Sequence, residues 1–455
     1  MADTGDDLWN RAQALHLDNK FVEAEEIYCT LLEQNHNNAG LLATLGSLYL
    51  QVQRHGLAIH FLEGALKQGL GQSDVHTNLG LAYNQSGQRN KAREHFEISI
   101  SQNPTPEALA NYSALFIEAG ENKKCVELCE RAIKGNNELA LAHWNLSLSL
   151  LSDGIWERGW DEYDWGLKAI KCREDRKTLD VPIWDGTHGK TVLIYGEQGL
   201  GDEIMFTSML PDILKTNPVV YECHKRLETL FKKSFDIPIY GTRESKEESP
   251  WTKDHKIDYR LPIGSLGRFY RRSRESFPGT PYLKADPLPK TKFRVGISWM
   301  GGGAKMGRVI KRSIPLPLWK TILNVTNVEF VSLQYTDCKE ELDLMDTLGY
   351  PVKVMDEYAK NEDYHETARL VASCDLVISV CTSVVHLAGA LGVPCWVAAP
   401  KWPAWRYQNE GGMPFYKSVR LYRQPEAKAE MWHHVLARIG LDLEDLVNGK
   451  AQKVA

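Results

Sequence analysis

The 455-residue chain has no apolar run near the 18–20 residues a membrane helix needs, and its start, MADTGDDLWNRAQ, lacks the basic-then-apolar profile of a secretory leader. Its nine cysteines are scattered, odd in number and without C-x-x-C spacing, which argues against a disulfide framework and a thiolate zinc site and for reduced thiols in a cytoplasmic protein. Cys125 and Cys129, four apart on one helix face, are either a metal pair or, the favoured reading, two small buried apolar side chains. Neither charge sign dominates: 54 Lys and Arg stand against 59 Asp and Glu, a formal net charge of −5, so nothing global points to nucleic acid or an anionic membrane. There is no G-x-G-x-x-G fingerprint, no Gly-Lys-Ser/Thr phosphate loop and no tightly spaced metal-ligand set. A residue content of 43% apolar and 25% charged is ordinary for folded domains and excludes a mainly disordered chain.

What the chain does have is a repeat. Gly46-Ser47-Leu48-Tyr49 aligns with Gly80-Leu81-Ala82-Tyr83 at an offset of 34, and Ala58 and Ala92 each lie twelve residues beyond their glycine. Ser113 and Ser147 continue the series at offsets of 33 and 34, and Ala12, Ala24 and Tyr28 form a first unit. Small residues at Gly46, Ala58, Gly80 and Ala92 let paired helices approach, while Tyr49, Phe61, Tyr83 and Phe96 fill the space left. Each pair can bury its faces only on its neighbours, so about five pairs should stack from residue 7 to about 168 as a tetratricopeptide-like solenoid. The fifth unit, with Trp160, Tyr163 and Trp165, is expected to cap the array and pack on the next domain. Such arrays take up extended peptides or proteins in a groove; the alternative is a spacer or dimerisation element.

Beyond Gly186 the pattern changes to alternating strand and helix, which implies parallel sheets covered by helices. Strands are expected at Thr191–Tyr195, Val219–Cys223, Ile237–Tyr240 and Ile257–Leu261, then at Arg294–Trp299, Glu329–Leu333, Val352–Met355, Asp375–Val380 and Pro394–Ala399. Helices are expected at Asp202–Leu214, His224–Lys233, Leu316–Leu323, Lys339–Leu348, Tyr364–Ser373, Thr382–Leu391 and Ala427–Leu446. A Pro-rich stretch, Pro278 to Pro289, marks a hinge, so the chain divides into a repeat domain (1–170) and two Rossmann-like lobes (171–288 and 289–455). Ligands of such sheets bind at the carboxyl ends of strands, here the loops after Tyr195, Trp299, Gln334 and Val380.

Three loops and one cluster carry candidate chemistry. In Gly196-Glu-Gln-Gly-Leu-Gly-Asp202 the glycines permit a sharp turn, and Asp202 either caps a helix or accepts a proton from an attacking hydroxyl. In Val380-Cys-Thr-Ser-Val-Val-His386 a helix begins where Thr382 and Ser383 stand, and its free N–H groups suit an anion; His386 is either a core residue or a ligand contact. The small residues Ala388, Gly389 and Ala390 are expected to pack closely on the sheet. The loop Gly301 to Ser313 holds four cations, Lys305, Arg308, Lys311 and Arg312, within eight positions, which is either a solvated loop or a counter-charge for phosphate. Arg268, Arg271, Arg272 and Arg274 read as a solvated basic patch or a site for an acidic acceptor or phosphate.

Six ordered segments resemble one family: Val181-Pro-Ile-Trp-Asp-Gly186, Gly189 to Asp202, Val295-Gly-Ile-Ser-Trp-Met-Gly301, Lys311-Arg-Ser-Ile-Pro-Leu316, Val331-Ser-Leu-Gln334 and His386-Leu-Ala-Gly-Ala-Leu-Gly392. With the junction Gly159-Trp-Asp-Glu-Tyr163, they are similar to bacterial-type tetratricopeptide glycosyltransferases of GT-B fold, heptosyltransferase-like and, more distantly, like O-linked N-acetylglucosamine transferases. The resemblance implies metal-independent, inverting transfer from a nucleotide sugar, which is a substrate and not a cofactor. It implies Asp202 as general base. Gly199, Gly201, Trp299, Gly301, Lys311, Arg312, Ser313, Gln334, Thr382, Ser383 and His386 would line the donor site. One departure stands out: relatives commonly carry an acid where this chain has Cys381, which implies a changed donor or a weakened transferase. The competing reading is an interaction scaffold whose two-lobed half does not turn over.

Overall fold

The structure, a computed structural model, describes residues 5–169, 173, 179–245, 249–301, 313–360 and 362–449. The chain divides into two compact units, Met1–Ser149 and Leu150–Ala455.

The first unit is a helical solenoid of antiparallel pairs: Gly5–Leu17 with Phe21–Gln34, Ala39–Gln51 with His55–Lys67, Ser73–Gln85 with Arg89–Gln102, and Pro106–Ala119 with Asn122–Gly135. The sequence repeat has the expected steric cause. A Cβ on Gly46 would lie 2.5 Å from Leu62 Cγ, and one on Gly80 would lie 2.9 Å from the Phe96 ring. Ala58 and Ala92 are fully buried. The aromatics stack across these gaps, Tyr49 on Phe61 with centroids 5.3 Å apart and Phe96 on Tyr112 at the same distance. Successive pairs are also stitched by tyrosine hydroxyls that donate backwards to carboxylates, Tyr49 to Glu25 at 2.7 Å, Tyr83 to Glu63, and Tyr112 to Glu97 at 2.9 Å. Cys125 and Cys129 are both buried, with sulfurs 3.8 Å apart, inside this packing.

The second unit holds two parallel sheets. The first comprises β1 (Val192–Tyr195), β2 (Val219–Glu222), β3 (Ile239–Tyr240) and β4 (Tyr259–Pro262) in the order β3-β2-β1-β4. The second comprises β5 (Phe293–Ser298), β6 (Val328–Ser332), β7 (Leu376–Val380), β8 (Cys395–Ala399) and β9 (Val419–Arg423) in the order β6-β5-β7-β8-β9. In both orders the winding reverses once, between β1 and β4 and between β5 and β7, and such switch points open crevices beyond the carboxyl ends of the strands. β7 and β8 are buried along their whole length, the continuous apolar reading of a doubly covered strand.

The structure departs from expectation in four places. Val352–Met355 is no ladder strand: only an isolated bridge joins Lys353 to Val331. β9 was missed because Val-Arg-Leu-Tyr-Arg alternates apolar and charged residues at a sheet edge. The final helix spans Trp432–Val447 and starts later than Ala427. The long helix expected from Asp202 to Leu214 is two, Leu200–Thr207 and Leu210–Ile213, with Pro211 near the start of the second. The aromatic helix Trp156–Tyr163 packs within the second unit as a cap on the α/β region. Trp160 lies edge-on to Trp405 at 5.5 Å, Trp156 lies against Phe277 at 4.6 Å, and a Cβ on Gly267 would meet the Trp160 ring.

A contrast of two helical glycines tests the repeat's packing. Gly80→Ala is expected to destabilise the solenoid by about 1–3 kcal/mol, because its methyl would drive into Phe96. Gly40→Ala, whose Cβ would meet only Asn38 Oδ1 at 3.5 Å, should be neutral or stabilising. Urea unfolding of the two variants checks this.

Candidate functional site

The switch point of the first sheet carries the Gly196–Asp202 loop, and two carboxylates sequence reasoning passed over hold it in place. Glu197, buried, accepts the Gly264 N–H at 2.9 Å and pairs with fully buried Arg173, which also donates to Ser265 Oγ at 3.2 Å. Glu203, fully buried, accepts the His224 N–H at 3.0 Å and pairs with Arg243, whose other amino group donates to the Gln198 carbonyl at 3.0 Å. Burial pushes the Glu203 carboxyl up to about 7 against the pull of Arg243. Gln198 adopts φ 57° at the turn, and its amide donates to Tyr163 Oη at 2.7 Å. A Cβ on Gly196 would overlap the Glu203 carboxylate, so no other residue fits there.

Asp202 is the carboxylate left on the open side. It does not cap its helix: Gly199 is the N-cap position and no side-chain cap bond forms there. Asp202 Oδ1 instead accepts from Arg406, on the short helical turn Trp405–Tyr407 of the other lobe. The two side chains are 19% and 14% exposed, so the pair sits at the edge of solvent. Burial disfavours the Arg406 charge, but Asp202 outweighs it and the guanidinium is raised above its ordinary value. No sequence signal marked Arg406, a lone cation between aromatics.

At the switch point of the second sheet, β5 and β7 run side by side with Ser298 opposite Ser379, so the loops that follow leave the same sheet end. Thr382 is the N-cap of the Ser383–Leu391 helix and accepts the Val384 N–H at 3.3 Å, with its hydroxyl 3.1 Å from Ser379 Oγ. Ser383 Oγ accepts from Tyr364 at 3.2 Å. His386 is buried, and its Nδ1 lies 3.4 Å from Tyr416 Oη. Burial, with the charge of Arg406, pushes His386 down to about 3 despite Asp202, so the ring is neutral near pH 7. The Ser383–Leu391 helix packs on β7 and β8 with Ala388 and Ala390 fully buried, and at Gly389 an added Cβ would meet the Tyr416 ring.

The two lips meet. A Cβ on Gly201 would lie 3.0 Å from Ser383 Cα and 3.1 Å from His386 Cδ2. Asp202, Gly199 and Gly201 thus share one neighbourhood with Ser383 and His386, with Thr382 at the adjoining helix start and Arg406 between them. The other expected residues form a second group. Gln334, 1% exposed, spends its amide on the neighbouring loop: Oε1 accepts the Met300 N–H at 3.1 Å, and Nε2 donates to the Met300 carbonyl at 3.0 Å and Thr336 Oγ1 at 2.9 Å. Trp299 is fully buried, donating from Nε1 to Glu341 at 2.8 Å, so its side chain has no surface to present. Gly301 donates its N–H to Ser313 Oγ at 3.2 Å. Lys311 and Arg312 lie outside the described residues.

The arginine cluster near the hinge is solvated except at Arg271: Arg268 and Arg274 are exposed and Arg272 is half-buried. Arg271 is buried and pairs with Asp212 at 2.8 Å, Arg268 pairs with Asp164 at 3.2 Å, and Arg272 pairs with Glu157 at 2.9 Å. Among the described residues, no group of three or more His, Cys, Asp or Glu could hold a metal ion, and no helix is long and apolar enough to cross a membrane.

The tetratricopeptide-repeat family model matches residues 73–106, the third helix pair of the solenoid. Protein FlbA of Caulobacter vibrioides is 26% identical over 425 residues, covering 87% of this chain and 71% of that protein. Among solved structures, YrrB, described as a tetratricopeptide protein with an unusual peptide-binding site, is 18% identical and covers 36% of this chain and 86% of its own, with a TM-score of 0.31. TTC0263 of Thermus thermophilus is likewise 18% identical, covering 33% of this chain and 82% of its own at a TM-score of 0.30.

Two measurements probe this site. Gly201→Ala should cost the second unit about 1–3 kcal/mol in chemical unfolding, because its methyl reaches backbone across the contact and not a flexible side-chain end. The depressed His386 sets a sign: its contribution is intact above the ordinary value near 6.5 and is lost as pH falls toward 3, since only the unfolded chain then takes up the proton. Unfolding free energies from pH 7 to pH 4 should therefore fall less steeply in His386→Gln than in the parent chain, by up to about 1.4 kcal/mol per pH unit.

Proposed function

We propose that this chain is an inverting glycosyltransferase with a GT-B arrangement, which moves a sugar from a nucleotide-sugar donor to an acceptor hydroxyl, and that its repeat array engages a protein or peptide acceptor. The observation that carries the reading is the meeting of two switch-point loops at Gly201 and Ser383, with a carboxylate on one and a helix N-terminus on the other. The ordered motifs of the sequence support it from a separate direction.

In this mechanism the acceptor hydroxyl enters beside Asp202. Arg406 binds Oδ1 and fixes the carboxylate, leaving Oδ2 to take the proton as the oxygen attacks the anomeric carbon from the face opposite the nucleotide. The nucleoside diphosphate leaves with the electron pair of the broken bond. The free N–H groups at Thr382 and Ser383 meet the negative charge that develops there, and the cations Lys311 and Arg312 of the glycine-rich loop are proposed to complete its neutralisation. Neutral His386 would contribute as a hydrogen-bonding or packing group and not as a cation. The scheme needs no metal.

A specific observation favours a second reading, a repeat scaffold whose two-lobed half does not turn over. The Asp202–Arg406 pair occupies the carboxylate, and Cys381, buried at the β7 end, replaces the acid of the relatives it resembles. One pair of experiments separates the two. A thermal-shift panel of nucleoside diphosphates should give one clear stabilisation, of about 2.7 kcal/mol at a hundredfold excess over Kd. Asp202→Asn should keep that shift and lower sugar transfer about 100-fold or more. No shift with any nucleotide, or transfer untouched by the substitution, would favour the scaffold or remove Asp202 from the base role respectively.

A further inference from the structure

Asp202 and Arg406 face each other from the two lobes, and each has a glutamine close by in the chain whose backbone lies in the left-handed region. Gln198, four positions before Asp202, has φ 57°. Gln408, two positions after Arg406, has φ 60° with ψ 160°. Glycine adopts that second combination freely, whereas a residue with a side chain adopts it only where its surroundings force it, and such strain gathers at functional sites. Glycine at 408 would remove the strain, so what glutamine adds there is its amide.

Both amides go to one place, the corner where the helix Ala140–Ser152 ends and the helix Trp156–Tyr163 follows. Gln408, 7% exposed, donates from Nε2 to the Leu151 and Trp405 carbonyls, each at 2.7 Å. Its neighbour repeats the attachment: the Asn409 N–H donates to the Ser152 carbonyl at 3.3 Å, and Asn409 Nδ2 donates to Asp153 Oδ1 at 3.2 Å. Trp405 lies edge-on to Trp160 at 5.5 Å, and the Tyr407 carbonyl accepts from Arg423 at 2.8 Å, so the residues on either side of Arg406 are both anchored. On the other lip, Gln198 donates its amide to Tyr163 Oη at 2.7 Å and accepts at its carbonyl from Arg243 at 3.0 Å, which fixes the chain just ahead of Asp202. The corner is itself fastened to the first lobe: a Cβ on Gly267 would lie 2.5 Å from the Trp160 ring, and Asp164 pairs with Arg268 at 3.2 Å. The two lips therefore share one support that belongs to neither sheet.

We infer that Gln198 and Gln408 are positioning residues: through their amides the helical corner holds the Asp202 carboxylate and the Arg406 guanidinium against each other. The pair is set before any ligand arrives and does not wait for the lobes to close. What Asp202 then does rests on the transferase reading; the placement of the pair does not.

The test is a double-mutant cycle on the full chain, with Asp202→Asn, Arg406→Gln and the two combined, measured by urea unfolding and tryptophan fluorescence. In the parent chain the unfolding equilibrium constants should show a coupling between the two residues of at least about fivefold. In a Gln408→Ala background, and separately in Tyr163→Phe, which keeps the ring and removes the hydroxyl Gln198 donates to, the coupling should fall to about twofold or less. Amides that only staple the corner would lower the stability of all four members of the cycle alike and leave the coupling at its parent value. Gln408→Gly sharpens the contrast: it relieves the strained backbone and removes the amide, so it should uncouple the pair even if its stability matches the parent's. Should Gln408→Ala fail to fold, Gln408→Gly and Tyr163→Phe carry the test. A parent coupling below about twofold, or parent-level coupling in any folded variant, would overturn the inference. The cycle contains no nucleotide, so a failed nucleotide screen counts against the transferase reading alone and undiminished coupling counts against this inference alone.

Discussion

Everything distinctive in the two-lobed unit depends on one approach: the backbone of Gly201 against Ser383 and His386. Two helices from different sheets can touch there only because one of them lacks a Cβ. That contact sets the Asp202 turn beside the Thr382 helix start and seals His386 from water. It also leaves Asp202 and Arg406 at its rim, facing each other from the two lobes.

The turn that presents Asp202 is held by charge and not by apolar packing alone. Glu197 with Arg173, and Glu203 with Arg243, are ion pairs in which the carboxylates have almost no exposure. Each carboxylate also accepts a backbone N–H, from Gly264 and from His224. Removing one partner of such a pair typically costs about 3–5 kcal/mol because the other is left buried and uncompensated. Three adjacent acids therefore do different things. Two fasten the loop to opposite flanks of the first sheet, and the third remains at the edge of solvent. The same economy holds at the second sheet, where Gln334 and Trp299 brace loops from within and Thr382 caps the helix start after β7.

Much of this was legible in the residues. The offset of 34 located the helix pairs, since a glycine or alanine recurring opposite a bulky ring is a steric demand that any stacked pair must meet. Eight of the nine strands announced themselves as short apolar runs ending in glycine or polar turns, and the ninth did not, because an edge strand that alternates Arg with Leu and Tyr has no such run. The loops at the strand ends were identifiable from glycine content, and Asp202, Thr382, Ser383 and His386 do gather. Trp299 and Gln334 belonged to the right loops, but their side chains turn inward, a choice made by Glu341 and by the Met300 backbone.

By itself, the sequence determined the helical period, the alternation of strand with helix and the places where the backbone must turn, all of which follow from local sterics and the burial of apolar side chains. Only the tertiary structure decided the strand orders, and with them where the two crevices open, because order depends on which strands pair across long loops. It alone also decided which carboxylate faces which arginine. Asp202 and Arg406 are 204 positions apart, as are no neighbours on any one helix or strand, and only the closing of two sheets on each other brings their charges together.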